Sequence, residues 1–177
     1  MFRAMSILAM LTALPAAAAD LNFCWRGASG YTMTGKMQIP DDKMYRAVVT
    51  EKDVTRFKIA GYLDGQLLGT WDMAQAGPDT TWHLRFDPMG MTFLTGGSFA
   101  GTHSQGWNAD GNVENCGSPG FGFNSGNYAQ DICVDGRYMR DSSIDPATAF
   151  LATTQAVTPD CGFSTPTSKS PRRETGD

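Results

Sequence analysis

FKIAGYLDGQLLGTW, residues 57–71, is the stretch on which the fold turns. Phe57 and Ile59 alternate with Arg56 and Lys58, the two-residue period of a strand with one face buried. Tyr62-Leu63 then runs into Asp64-Gly65, and Leu67 to Trp71 resumes an apolar run. A two-residue hairpin turn needs positive φ at both central positions, which Asp-Gly supplies, so this stretch predicts a tight antiparallel hairpin.

The same grammar extends in both directions. Upstream, Tyr31, Met33, Met37 and Ile39 alternate with Thr32, Thr34, Lys36 and Gln38, a second half-buried strand in which Gly35 marks a candidate bulge. Pro40-Asp41-Asp42 ends it, and Thr50-x-x-Asp53 reads as a capped helical turn or a loop. Downstream, Trp82, Leu84 and Phe86 alternate with Thr81, His83 and Arg85 over residues 80–86. A further short strand spans Met91 to Leu94, and Asp110-Gly111 and Asp135-Gly136 offer two more hairpin turns. Pro146 to Phe150 reads as one helical turn. Short strands broken by Asp-Gly, Gly-Gly and Pro turns predict an all-β domain, an antiparallel sandwich of Greek-key or jelly-roll type with a small barrel as the alternative.

Three segments follow from composition. Arg3, the apolar run Ile7 to Leu14 and the small residues Ala16 to Ala19 read as a signal peptide over residues 1–19. The apolar run is too short for a transmembrane span. Residues 20–161 form the single β domain, and residues 162–177, rich in Ser, Thr, Pro and charge, read as a disordered tail. Taking 19 residues from 177 leaves 158, enough for a substantial core. Without Arg3 the balance is 13 basic against 18 acidic residues, which argues against nucleic acid as a partner. Four cysteines in an exported chain predict two disulfides, with three connectivities open; Cys116 with Cys133 and Cys24 with Cys161 is the preferred pairing. The expected localisation is secreted, in the periplasm.

The segment Gly106 to Gly136 stands apart, with seven of the chain's 20 glycines, five asparagines and two cysteines. Trp25, Trp71, Trp82, Trp107, Tyr128 and Tyr138 are the rings that could stack on a sugar. Those with Asn and Gly neighbours single out Trp107, Asn108, Asn124, Asn127 and Tyr128 as a ligand-binding set. Asn108, Asp110, Asn112 and Glu114 place oxygens at spacings of two, a partial calcium pattern that lacks the glycine and terminal acid of an EF-hand; an Asx-stabilised turn explains the same residues. Asp72, Asp87, Asp110, Glu114, Asp131 and Asp135 are the carboxylates available for hydrolysis, although acids before glycine are ordinarily turn formers. Gly96-Gly97-Ser98-Phe99-Ala100 falls short of a nucleophile elbow because no helix pattern follows.

In the phrases NFCWRGASGYTMTG, GYLDGQLLGTWDM and NCGSPGFGFNSGNYAQDICVDG the chain resembles a set of uncharacterised secreted bacterial proteins, over most of Leu21 to Met139. The resemblance implies export and brings no activity with it. The expected function is a secreted, non-catalytic binding or cell-envelope module with a glycan as ligand and no cofactor other than the weakly indicated calcium. The alternatives are a secreted hydrolase using loop carboxylates and a structural envelope protein.

Overall fold

The computed structural model describes residues 17–164, so the signal-peptide reading, apart from its last three residues, and most of the tail lie outside the described residues. The protein is all-β, built of two antiparallel sheets, one of which curls into a half-barrel. The described residues form thirteen strands: β1 (Ala18–Arg26), β2 (Tyr31–Pro40), β3 (Val49–Thr50), β4 (Arg56–Leu63), β5 (Gln66–Asp72), β6 (Trp82–His83), β7 (Arg85–Asp87), β8 (Thr92–Phe93), β9 (Gln105–Trp107), β10 (Phe121–Ser125), β11 (Gln130–Val134), β12 (Arg137–Tyr138) and β13 (Phe150–Thr153). The larger sheet has the order β3-β7-β8-β13-β1-β2-β4-β5, and the smaller has β12-β11-β10-β9-β6.

The long strands follow the alternation of the sequence. Tyr31, Met33, Met37 and Ile39 of β2 are buried, and Phe57 and Ile59 of β4 face the same interior. Asp64 and Gly65 have φ of 48° and 79°, the two positive values that close a right-twisted hairpin between β4 and β5. Gly35 is not a bulge. It pairs in register with Phe23 and Ile59, and a Cβ there would lie 2.1 Å from the Phe23 ring, so glycine makes room for that ring. The irregularity falls instead at Gly61/Tyr62 in the β4–β5 pairing.

Two other expectations are corrected, and the choice left open at Thr50 to Asp53 falls to the loop. Residues 80–86 are not one strand: β6 belongs to the small sheet and β7 to the large one, with buried Leu84 at the corner where the chain passes between them. A single run of alternating residues can serve two sheets because the inward set stays inward through the bend. Thr50 to Asp53 makes a turn closed by Asp53 Oδ2, which accepts from Thr50 N and Oγ1 at 3.0 Å each, and no helix forms. Pro146 to Phe150 is a turn, closed by Thr148 N donating to Asp145 O, that leads into β13.

The inner faces meet in an aromatic core. The Trp107 ring lies within 6 Å, centroid to centroid, of Phe23, Phe57, Phe93, Phe123 and Phe150. Tilted and edge-on contacts of this kind add to the area the rings remove from water. Buried Gln130 bridges the layers: its Oε1 accepts from Trp25 Nε1 at 2.9 Å and its Nε2 donates to Thr148 O at 2.6 Å. Both disulfides form with the preferred pairing, Cys24–Cys161 and Cys116–Cys133.

Candidate functional site

The Gly106 to Gly136 segment becomes β9, a loop over 108–120, the β10–β11 hairpin and the Asp135-Gly136 turn into β12. The loop folds back over the outer face of the small sheet, where Ala109, Val113, Cys116 and Cys133 form a second, smaller core. Close approach there requires Gly122, since a Cβ on it would lie 2.6 Å from Asn108 O. Asn108, at φ 52°, donates through Nδ2 to Cys116 O and Phe121 O at 2.9 Å each, holding both ends of the loop. Asp110-Gly111 is therefore no strand-to-strand hairpin. It opens a turn inside the loop in which Asp110 O accepts from Val113 N and Asp110 Oδ1 from Asn112 N. Asp135 and Gly136, with φ of 49° and 72°, do make the predicted hairpin turn.

Beside this pinned loop lies a groove of about 520 Å³. Its floor is the cross-strand pair Asn124 and Asp131, directly opposite each other on β10 and β11. One wall is Asp110 to Val113, another the Gly126 to Ala129 turn, and Phe99 and Tyr138 close the rest. Asn124 Nδ2 donates to Asp131 Oδ1 at 3.3 Å, which leaves Asn124 Oδ1 buried with no hydrogen-bond partner. Asn124 is only 5% exposed, so this acceptor is costly unless something donates to it. Burial raises the pKa of Asp131 above the ordinary carboxylate value, opposed by hydrogen bonds from Asn124, Ser143 and Tyr138. The tyrosines differ in exposure: Tyr128 stands 91% exposed on the turn, while Tyr138 is 37% exposed with its hydroxyl 2.7 Å from Ser143 Oγ.

No family model, curated protein or solved structure matches this chain.

Of the five residues expected to bind ligand, the structure brings three together. Asn124, Asn127 and Tyr128 all line the groove. Trp107 does not: it is fully buried at the centre of the aromatic core, with no face to offer. Its polar neighbours belong to the loop that begins after it, whereas its own side chain points inward from β9. Asn108 is spent on loop carbonyls. The calcium set is divided in the same way, since Asp110 and Asn112 reach the groove and Asn108 and Glu114 do not line it. Among the described residues no three His, Cys, Asp or Glu side chains gather as a metal-holding group.

The other carboxylates are turn formers. Asp72 Oδ1 accepts from Ala74 N, Asp87 Oδ1 from Met89 N and Gly90 N, and Asp135 Oδ1 from Gly120 N. Only Asp110 and Asp131 share the groove. Ser98 lies in a loop with no helix after it, and His83 bonds instead to Gly101 O and Ser104 Oγ. Phe99 was invisible to sequence reasoning as a wall residue because its contacts, with Gly111 and Gly106, come from a distant loop and strand.

Proposed function

We propose that this protein is a secreted, non-catalytic binding module of the cell envelope, and that it takes a glycan in the groove between the pinned loop and the β10–β11 turn. The observation that carries the reading is the buried, unpartnered Oδ1 of Asn124, a residue that lines the groove. Sugar hydroxyls are donors of the right kind for such an acceptor, and Tyr128 and Tyr138 provide rims on which a pyranose face can lie. Export is supported by two disulfides, which persist in oxidising compartments. Among the described residues no helix is long and apolar enough to cross a membrane.

A glycan-array screen of residues 20–177 tests the reading, followed by titration of each hit against Tyr128→Ala and Asn124→Leu. Tyr128 is almost fully exposed, so its removal leaves the fold intact; loss of its stacking weakens binding roughly 2- to 10-fold. Undiminished binding in both variants removes the groove from the account.

One observation favours the hydrolase as a second reading. Asp131 has a pKa raised by burial, the state suited to a general acid, and Asp110 lines the same groove. New reducing ends released from a bound glycan, and abolished by Asp131→Asn, would replace the non-catalytic reading with that one.

A further inference from the structure

We infer that the glycan taken by this groove carries a free ammonium group, as in an amino sugar whose nitrogen is not acetylated. This rests on the glycan reading above and sharpens it to a chemical class.

Among the described residues the groove offers acceptors and carboxyl groups with no cation to balance them. Asp110 and Asp131 line it, and no described Lys, Arg or His does. Neither carboxyl has a cationic partner within 4.0 Å among the described residues; the ion pairs there are Lys43–Asp42, Arg46–Asp53 and Arg85–Glu51. A buried Asp131 carboxylate without a cation is unfavourable for the protein alone, and an ammonium is the group that offsets it. Independently of the acids, Asn124 Oδ1 is a buried acceptor awaiting a donor, and an ammonium has three. The Tyr128 and Tyr138 rings at the rim attract a cation through their faces as well as stacking on a sugar ring. Burial is also what raises the Asp131 carboxyl above the ordinary range, against the hydrogen bonds it accepts.

The hollows along the large sheet are different: Lys36 and Lys58, direct cross-strand partners, line them with Arg56, beside the carboxyl groups of Asp20 and Asp72. Among the described residues, carboxyl groups share those hollows with cations, whereas the groove lined by Asn124 has carboxyl groups alone. Uronates, sulfated sugars and phosphorylated sugars are therefore the wrong class for the groove.

The test is titration of the disulfide-bonded protein with three oligosaccharides of matched length: a β-1,4-glucosamine oligomer, its fully N-acetylated counterpart and an oligouronate. The glucosamine oligomer should bind about tenfold or more tighter than the acetylated one, by an amount that shrinks as salt is added. The oligouronate should not bind in the groove. Asp110→Asn keeps the turn acceptor and removes the charge, and should erase most of the preference for the amine. Tyr128→Ala should weaken the amine ligand too, and thermal melting of both variants verifies the fold. Equal, Tyr128-dependent affinity for the acetylated and free-amine oligomers overturns this inference and leaves the glycan reading standing. Preference for the oligouronate, or a free-amine preference untouched by both variants, also overturns it. Failure of every glycan to bind defeats both.

Discussion

Replacing Trp107 by alanine will unfold this protein more readily than it will reveal anything about ligand binding. The ring is completely buried and touches five phenylalanines from both sheets. A buried tryptophan removes about 150–250 Å² from water. At about 25 cal/mol per Å² that is on the order of 4–6 kcal/mol, and measured losses for such truncations run at about 3–5 kcal/mol. We take about 4 kcal/mol, a large part of the roughly 5–15 kcal/mol that holds a domain together. Urea denaturation followed by far-ultraviolet circular dichroism should show the midpoint falling by about 2 M for a slope of about 2 kcal/mol/M. Thermal unfolding should fall by roughly 8–16 °C. Trp107→Phe separates size from hydrogen bonding. Trp107 Nε1 has no partner, so phenylalanine forfeits no bond and should cost only about 1–2 kcal/mol for lost volume. A Trp107→Ala protein within about 1 kcal/mol of the parent would show that the two sheets do not pack around this ring.

Three further outcomes are expected. Opening Cys24–Cys161, whose partners are 137 residues apart, should destabilise by about 5 kcal/mol in the chain-entropy account, against about 3 kcal/mol for Cys116–Cys133 at 17 residues; paired Cys→Ser variants in urea measure both, and only the second should also weaken ligand binding. Burial first, and then Arg85, lower the His83 pKa below 6.5, so stability is full above 6.5 and declines as pH falls from there through the lower folded value; burial raises that of Asp131 above 3.8, so its contribution is present below 3.8 and lost as pH rises through the higher folded value. Urea midpoints across pH should therefore lose the acid-side decline in His83→Gln, and in Asp131→Asn should rise relative to the parent toward neutral pH. Calorimetric titration with calcium should give no heat at the 108–114 loop, because Asn108 is committed to carbonyls and Asp110 to its own turn; heat abolished by Asp110→Ala would restore the metal reading.

Period and turn chemistry carried the sequence reading where the elements were long enough to show them. Tyr31 to Ile39 displays four inward residues, which fixes its face before any partner is known, and Asp64-Gly65 and Asp135-Gly136 demand the same turn wherever they fall between strands. Trp107 fails this test because β9 has three residues, too few for a period, and its sequence neighbours are those of the next loop. Asp110-Gly111 was misread because the dipeptide reports a turn and not what flanks it. The Leu84 corner shows that alternation identifies a buried face without saying which sheet owns it. In the groove, Tyr128, Asn124 and Asn127 were legible through composition. Pairing Asn124 with Asp131 required the register of β10 against β11, which depends on contacts from the whole small sheet.

The first strand sets an order of events. Ala18 and Ala19 are paired in β1 with Pro40 and Ile39 of β2, and Ala17 O accepts from Asp41 N. A cut after Ala19 would break a bond inside this ladder once the sheet exists, where a peptidase that grips an extended chain cannot reach it. Such a cut would therefore have to come before β1 closes on β2. Made later, it would strip the Ala18–Pro40 and Ala19–Ile39 pairs from the end of the sheet's longest ladder.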